Sequence, residues 1–271
     1  PVISDGFSYE VKINLSDYDH MQHLTIDPNL VWATIYGGNT VDGFTSIVAD
    51  INGNIFITGY IHSVNFPMLN AGAFFQGTNA GSSDLVIVKF DNKGSRLLST
   101  YYGGSVQDPA KVITTDNSGN VWITGQTNST DFPLQNAGSF YQGTFGGGSN
   151  DAFILKFDNV GNRLWATYYG DAGDYDVGTS VASDASGNVY LAGNTSSVTG
   201  IASGGFQNTL GGGIDAMLVK FDGVTGTRIW ATYYGGPDGD DYGNGVAADA
   251  SGNVYLTGYT FSTSGIASGG Y

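Results

Sequence analysis

The chain has 271 residues, a formal charge of −15 and no cysteine. That charge excludes nucleic acid and anionic membrane surfaces as natural partners, and no apolar run is long enough to cross a bilayer. Disulfides contribute nothing, so the redox compartment stays unread. Glu10 is the single glutamate among 24 acidic residues, and there are 43 glycines. Aspartate favours turns whereas glutamate favours helices, so the composition is that of an all-β protein.

The chain starts at Pro1 and stops at Tyr271 inside a repeat, so it is expected to be a piece of a longer polypeptide. Residues 1–31 read as a leader or the end of a preceding β-rich domain. His20 and His23 lie there beside Asp17 and Asp19, but their spacing is a weak zinc signal and a solvated linker is the expectation.

Four copies of one phrase organise the remainder, 32–271. Trp32-Ala-Thr-Ile-Tyr-Gly-Gly38 returns as Leu98-Ser-Thr-Tyr-Tyr-Gly-Gly104, Trp165-Ala-Thr-Tyr-Tyr-Gly-Asp171 and Trp230-Ala-Thr-Tyr-Tyr-Gly-Gly236. Cutting after each phrase gives units 39–104, 105–170 and 171–236, each of 66 residues, and a partial unit 237–271. A fixed period means one small structure set against copies of itself. Residues recurring in every unit are then structural candidates, and residues that break the pattern are functional ones.

Within a unit, strand one reads Thr179–Ser183 or Gly245–Ala248. A tight turn follows, Asp184-Ala-Ser-Gly-Asn188, with copies at Asp50, Asp116 and Asp249. Aspartate opening a type I turn and glycine at positive φ in a bulge explain that pattern without a calcium loop. Strand two is Val189–Gly193 or Val254–Gly258. A long Gly/Ser/Asn-rich loop leads to strand three, Asp215–Phe221, Asp151–Phe157 or Asp84–Phe90. Strand four is Arg228–Tyr234. Strands apolar on both faces must be covered on both sides, and a four-stranded sheet flanked by identical sheets is a propeller blade.

The run Val-Ala-x-Asp-x-x-Gly-Asn-Val-Tyr-x-x-Gly, then Asp-Ala-x-x-x-Lys-Phe-Asp, then Trp-Ala-Thr-Tyr-Tyr-Gly-Gly resembles the SBBP β-propeller repeat of bacterial extracellular proteins. Leu24-Thr-Ile-Asp-Pro-Asn-Leu30 resembles the segment that joins a preceding domain to the first blade in such proteins. The resemblance implies an exported, often surface-attached, multidomain parent and supplies no catalytic residues. Propellers hold roughly 4–8 blades. Trp32–Tyr36 joining the last unit would give a strained four-bladed ring; membership of a larger ring is the expectation.

Lys89, Lys156 and Lys220, with Arg96, Arg163 and Arg228, occur once per unit in equivalent places. Paired with the recurring aspartates they read as structural ion pairs, because a buried unpaired charge is costly. Trp32, Trp165 and Trp230 belong to the same structural repeat. Asp42, Asp108, Asp176 and Asp241 sit in the loops entering strand one. With Asp174, Asp238 and Asp240 they form a candidate carboxylate ring at a channel mouth, suited to a cation such as calcium or a basic partner. The competing reading is that each aspartate caps its own loop. Loop aromatics Phe74, Phe75, Phe140, Tyr141, Phe206 and Tyr271 are expected to pack between blades, with sugar stacking as the alternative. No cofactor other than a calcium candidate is implied.

The expected function is a non-catalytic binding or scaffold module of a large exported or cell-surface protein, presenting a loop-rich acidic face to a protein or glycan. Other domains of the same long chain are expected partners. A polysaccharide hydrolase or lyase using channel-mouth aspartates, and a purely structural spacer, are the alternatives.

Overall fold

A computed structural model describes residues 31–266 except 72–73 and 137–138. The chain divides into two compact units, 1–33 and 34–271. Expectations for His20, His23, the 24–30 segment and Tyr271 fall outside the described residues.

Three complete four-stranded antiparallel sheets and one hairpin make up the second unit. Blade 1 is β1 (Asp42–Ala49), β2 (Ile55–Ile61), β3 (Asp84–Phe90) and β4 (Arg96–Tyr102). Blade 2 is β5 (Ala110–Thr115), β6 (Val121–Thr127), β7 (Asp151–Phe157) and β8 (Arg163–Tyr169). Blade 3 is β9 (Asp176–Ser183), β10 (Asn188–Thr195), β11 (Asp215–Asp222) and β12 (Arg228–Tyr234). The fourth sheet holds β13 (Asp241–Ala248) and β14 (Val254–Thr260). Each blade meanders in chain order, and the first strands β1, β5, β9 and β13 stand side by side along the array. Thr45 Oγ1 donates to the Ala110 carbonyl and Thr179 Oγ1 to that of Gly243, so these inner strands are also tied chemically.

The first strands are longer than their apolar pattern indicates. Each carries a bulge, which falls between Gly178 and Ser180 in β9 and between Gly243 and Gly245 in β13. The bulge interrupts the two-residue alternation, so the sequence reveals only the half beyond it. The glycine late in strand two is required here: a Cβ on Gly193 would lie 2.1 Å from the Val177 carbonyl oxygen, and one on Gly125 2.2 Å from that of Pro109.

The strand one–two turns form as the aspartate pattern requires. Asp50 Oδ1 accepts from the Asn52 and Asn54 amides, both at 2.8 Å, and Gly53 takes φ 80°. The same bonds recur at Asp116, Asp184 and Asp249.

Blades pack through apolar faces. Leu85, Ile87 and Tyr102 of blade 1 meet Phe132, Phe153, Leu155 and Phe157 of blade 2. Ala152, Ile154, Trp165 and Tyr169 of blade 2 meet Met217, Val219 and Phe221 of blade 3. Each of the larger aliphatic and phenylalanine side chains among them contributes about 1.5–3 kcal/mol when fully buried. Trp165 is 1% exposed, its ring 5.2 Å from that of Phe221, whereas Trp230 is half-buried against Tyr190. Among the described residues, β1 exposes Phe44 and Ile47, and β14 exposes Tyr255 and Tyr259. Among the described residues, β13 and β14 pair only with each other.

Among the described residues, the repeated basic side chains meet carbonyls and ring faces where ion pairs with aspartate were expected. Lys89 Nζ donates to the Asn159 carbonyl in the next blade at 2.5 Å, and Lys156 Nζ to that of Gly223 at 2.6 Å. Their ammonium groups, and that of Lys220, lie over the rings of Phe56, Trp122 and Tyr190 at 5.1–5.3 Å. Arg163 and Arg228 stack on Phe74 and Phe140, each at 4.9 Å, and Arg96 on Tyr36 at 5.4 Å; each also donates to loop carbonyls. Carbonyls and ring faces replace carboxylates because the aspartates spend their oxygens on nearby amides and hydroxyls. Asp50 and Asp158 act on Lys89 only through longer-range attraction, against a burial that lowers its pKa. Lys156→Met removes a charge-assisted bond between blades 2 and 3 and should destabilise the fold by about 1.5–3 kcal/mol; urea unfolding measures it.

Candidate functional site

Connections between blades carry the repeated acids. The strand two–three loops and the strand four–one connections meet at one end of the sheets. There Ser83 bridges Gln107, and Asn150 bridges Tyr175.

Asp42, Asp176 and Asp241 open their strands, and Asp108 stands two residues before β5. Asp108 and Asp176 are 0% exposed, and Asp241 is 2% exposed. Asp108 Oδ2 accepts from the Gly104 amide at 2.7 Å and from Ser129 Oγ at 2.9 Å, while Thr127 Oγ1 donates to Oδ1. Asp176 repeats this with the Asp171 amide, Ser197 and Thr195. Asp241 does so with Gly236, Ser262 and Thr260, and Asp42 with Gly38 and Ser63. These carboxylates cap the chain between blades.

A second carboxylate faces each of three caps. Asp84, Asp151 and Asp215 open the third strands and are 0% exposed. Their Oδ2 atoms accept from Gln76, Gln142 and Gln207 Nε2 at 2.7, 3.1 and 2.9 Å. The same glutamines accept the Gly103, Gly170 and Gly235 amides at 3.1–3.2 Å. Each glycine lies between its two carboxylates: a Cβ on Gly170 would meet Asp176 Oδ2 at 2.7 Å and Asp151 Oδ1 at 2.9 Å. Only hydrogen fits there. The glutamines and the facing aspartates were missed as a group in the sequence. Their signal is the repeated aromatic-Gln-x-Thr at 75–78, 141–144 and 206–209.

Burial raises the pKa of Asp84 to about 6 and of Asp151 to about 7, with Asp108 and Asp176 adding repulsion. Asp151 Oδ1 is buried without a hydrogen-bond partner. Burial also raises Asp108 and Asp176. In Asp241, burial is outweighed by the Thr260, Gly236 and Ser262 bonds, and the net shift is downward.

Asp174 and Asp238 are exposed, and Asp238 accepts from Thr263. Asp240 Oδ1 accepts from the Ile214 amide at 3.1 Å. Among the described residues, no three His, Asp or Glu side chains are grouped to hold a metal ion.

The aromatic loop residues separate into two sets. Phe74 and Phe140 pack between blades, against Tyr102 and Phe157 and against Tyr169 and Phe221. Phe75, Tyr141 and Phe206, each just before its glutamine, point outward at 37%, 39% and 81% exposure. Expectation of interblade packing holds for the first set only.

Protonation of Asp84 and Asp151 favours the folded state, so their stabilising effect is full below the ordinary carboxylate pKa of 3.8 and is lost as pH rises through about 6–7. Turn aspartates such as Asp50 and Asp184 are shifted downward and act below that window. Melting temperature should therefore fall by a few degrees from pH 5 to pH 8, and Asp151→Asn should flatten that slope.

The SBBP family model, described as a beta-propeller repeat, matches residues 95–133, 164–200 and 229–264. Each match starts in or beside strand four of one blade and ends beyond strand two of the next, so it takes in the capped connection and leaves out strand three. The chain is also similar to an uncharacterized WD repeat-containing protein of Acanthamoeba polyphaga mimivirus. Identity is 25% over 137 residues, taking in 45% of this chain and 9% of that protein. Between residues 95 and 264, the chain carries three SBBP β-propeller repeats.

Proposed function

We propose that this chain is a non-catalytic binding and scaffold module of a large exported or cell-surface protein, and that its loop-rich end engages a protein or glycan. The observation that carries this reading is the row of Phe75, Tyr141 and Phe206. Neighbouring loop aromatics are spent on blade packing, but this set faces solvent at one place in each unit. An exposed aromatic offers a large rigid surface at little entropic cost, and recurrence in successive blades makes several equivalent contacts available to one extended ligand. Asp131 is exposed in the loop that carries Tyr141, and Asp174 and Asp238 are exposed in the strand four–one connections; they set a negative field for basic or hydroxyl-rich partners.

The repeated carboxylates are poorly suited to turnover. Asp108 and Asp176 are fully buried and hold three donors each. Asp176→Asn should accordingly change melting behaviour and leave any substrate unconverted, as in the parent chain.

Arrays of purified polysaccharides, cell-wall polymers and surface proteins provide the test, with product formation followed in parallel. The Phe75→Ser/Tyr141→Ser/Phe206→Ser variant should lose at least about tenfold in affinity for whatever the parent chain retains, equivalent to ~1.4 kcal/mol. An unchanged binding profile, or product formation that Asp176→Asn abolishes, would overturn the proposal.

A further inference from the structure

The joint between blades 2 and 3 departs from the other two at one carboxylate. In blade 1 the Ala80 and Gly81 amides donate to Oδ2 and Oδ1 of Asp84 at 2.9 and 3.3 Å. In blade 3 the Gly211 and Gly212 amides donate to Oδ2 and Oδ1 of Asp215 at 2.7 and 3.2 Å. In blade 2 the Gly146 amide reaches Oδ2 of Asp151 at 2.7 Å, but Oδ1 is buried and receives nothing. One extra residue is the cause. Thr78 to Asp84 and Thr209 to Asp215 are steps of six positions, whereas Thr144 to Asp151 is a step of seven.

The surplus falls in Gly146-Gly147-Gly148. Gly148 packs on the connection to blade 3, where a Cβ would lie 2.2 Å from the Gly173 carbonyl oxygen; one on Gly81 would lie 2.0 Å from that of Val106. Gly147 is left between two anchored glycines at φ 132°, a conformation that glycine alone takes without strain. Its amide, the counterpart of those of Gly81 and Gly212, makes no bond to Oδ1.

This joint also carries an added acid. Asp171 stands where Gly38, Gly104 and Gly236 stand in the other connections. Asp176, from β9, and Asp171 both repel a charge on Asp151, while burial holds the Tyr168 hydroxyl of β8 neutral. Gln142 and the Gly146 amide complete the polar surroundings. A charged Asp151 therefore has a buried anionic oxygen with no donor, which is costly. Either a proton on Oδ1 or a new donor brought to it relieves that cost.

We propose that the blade 2–3 joint is a two-state acid switch, in which a proton on Asp151 Oδ1 holds the triple-glycine turn as it stands and loss of that proton turns the Gly147 amide onto Oδ1. The deprotonated state then copies the bonding of Asp84 and Asp215. Those two carboxylates already have their second donor, so they ionise without a change of backbone. Burial sets the transition near neutrality. Existing bonds pass the movement on. The Ser149 amide donates to the Asp174 carbonyl at 3.2 Å, and Gln142, beside the outward Tyr141, links Asp151 to the Gly170 amide. The switch is independent of whether Tyr141 meets a ligand.

NMR of the 271-residue chain, labelled with 15N-glycine and 13C-aspartate, tests this between about pH 5 and about pH 8. The Asp151 carboxyl carbon and the Gly146, Gly147, Gly148 and Gly170 amides should shift together, with one midpoint at about 7. Above it, the Gly147 amide should gain at least about tenfold in exchange protection, while Gly81 and Gly212 keep theirs. Asp151→Asn should abolish the glycine shifts. Deleting Gly147, which restores the six-position step, should bring the Asp151 midpoint to that of Asp84 at about 6, an about tenfold weaker hold on the proton, and keep the glycine amides still. An Asp151 carbon that titrates below about pH 5, glycine amides that stay still in the parent chain while it titrates, or equal movement at Gly81 or Gly212 would overturn the proposal.

Discussion

Each blade is joined to the next through a glycine held between two buried carboxylates. One carboxylate opens strand three of the first blade, one stands at or just before the start of strand one of the second, and a glutamine ties the glycine amide to the first of them. Gly103, Gly170 and Gly235 share this arrangement, and no larger residue fits. The blade-to-blade geometry follows from it. Because the chain leaves strand four through a fixed glycine and re-enters strand one through a capped aspartate, the next sheet starts beside the inner edge of the last. The tyrosines preceding the glycine complete the joint. Tyr168 donates to the Ser129 carbonyl in its own blade, and Tyr169 to the Ile201 carbonyl in the next.

This arrangement explains an acidic chain with few ion pairs to offer. Many of its carboxylates serve as acceptors for main-chain amides and hydroxyls, in turns and in joints, where a short rigid side chain is needed. The basic residues then take carbonyls and ring faces as partners. A buried carboxylate held by neutral donors still pays desolvation, and in the facing pairs repulsion adds to it. Asp151 is the extreme case, with one oxygen unpartnered and a pKa near neutrality. The array is thereby built from groups that fit together best when some of them carry protons.

Much of the fold was legible because the repeat exposes its own punctuation. Asp-x-x-Gly-Asn marks each hairpin, and the apolar runs after Asp84, Asp151 and Asp215 mark the central strands. The first strands were half hidden, because a bulge at Thr179 and its counterparts breaks the alternation. The site was less legible. Loop aspartates such as Asp108 and Asp176 look alike in sequence whether they bind a ligand or cap a connection; burial and serine partners 21 residues away decide between the two. Lys156 looked like half of an ion pair because the sequence does not show that a carbonyl of the next blade lies within reach. Adjacent aromatics such as Phe74 and Phe75 face opposite ways, which one-dimensional reading cannot separate.

Native-state hydrogen exchange at the Gly104 and Asp171 amides tests the central claim most directly. Both lie in connections, yet both donate to buried carboxylates, so they should exchange as slowly as amides in the middle of β7. Exchange at the rate of exposed loop amides would show these aspartates open to solvent and would contradict their role as the joints of the array.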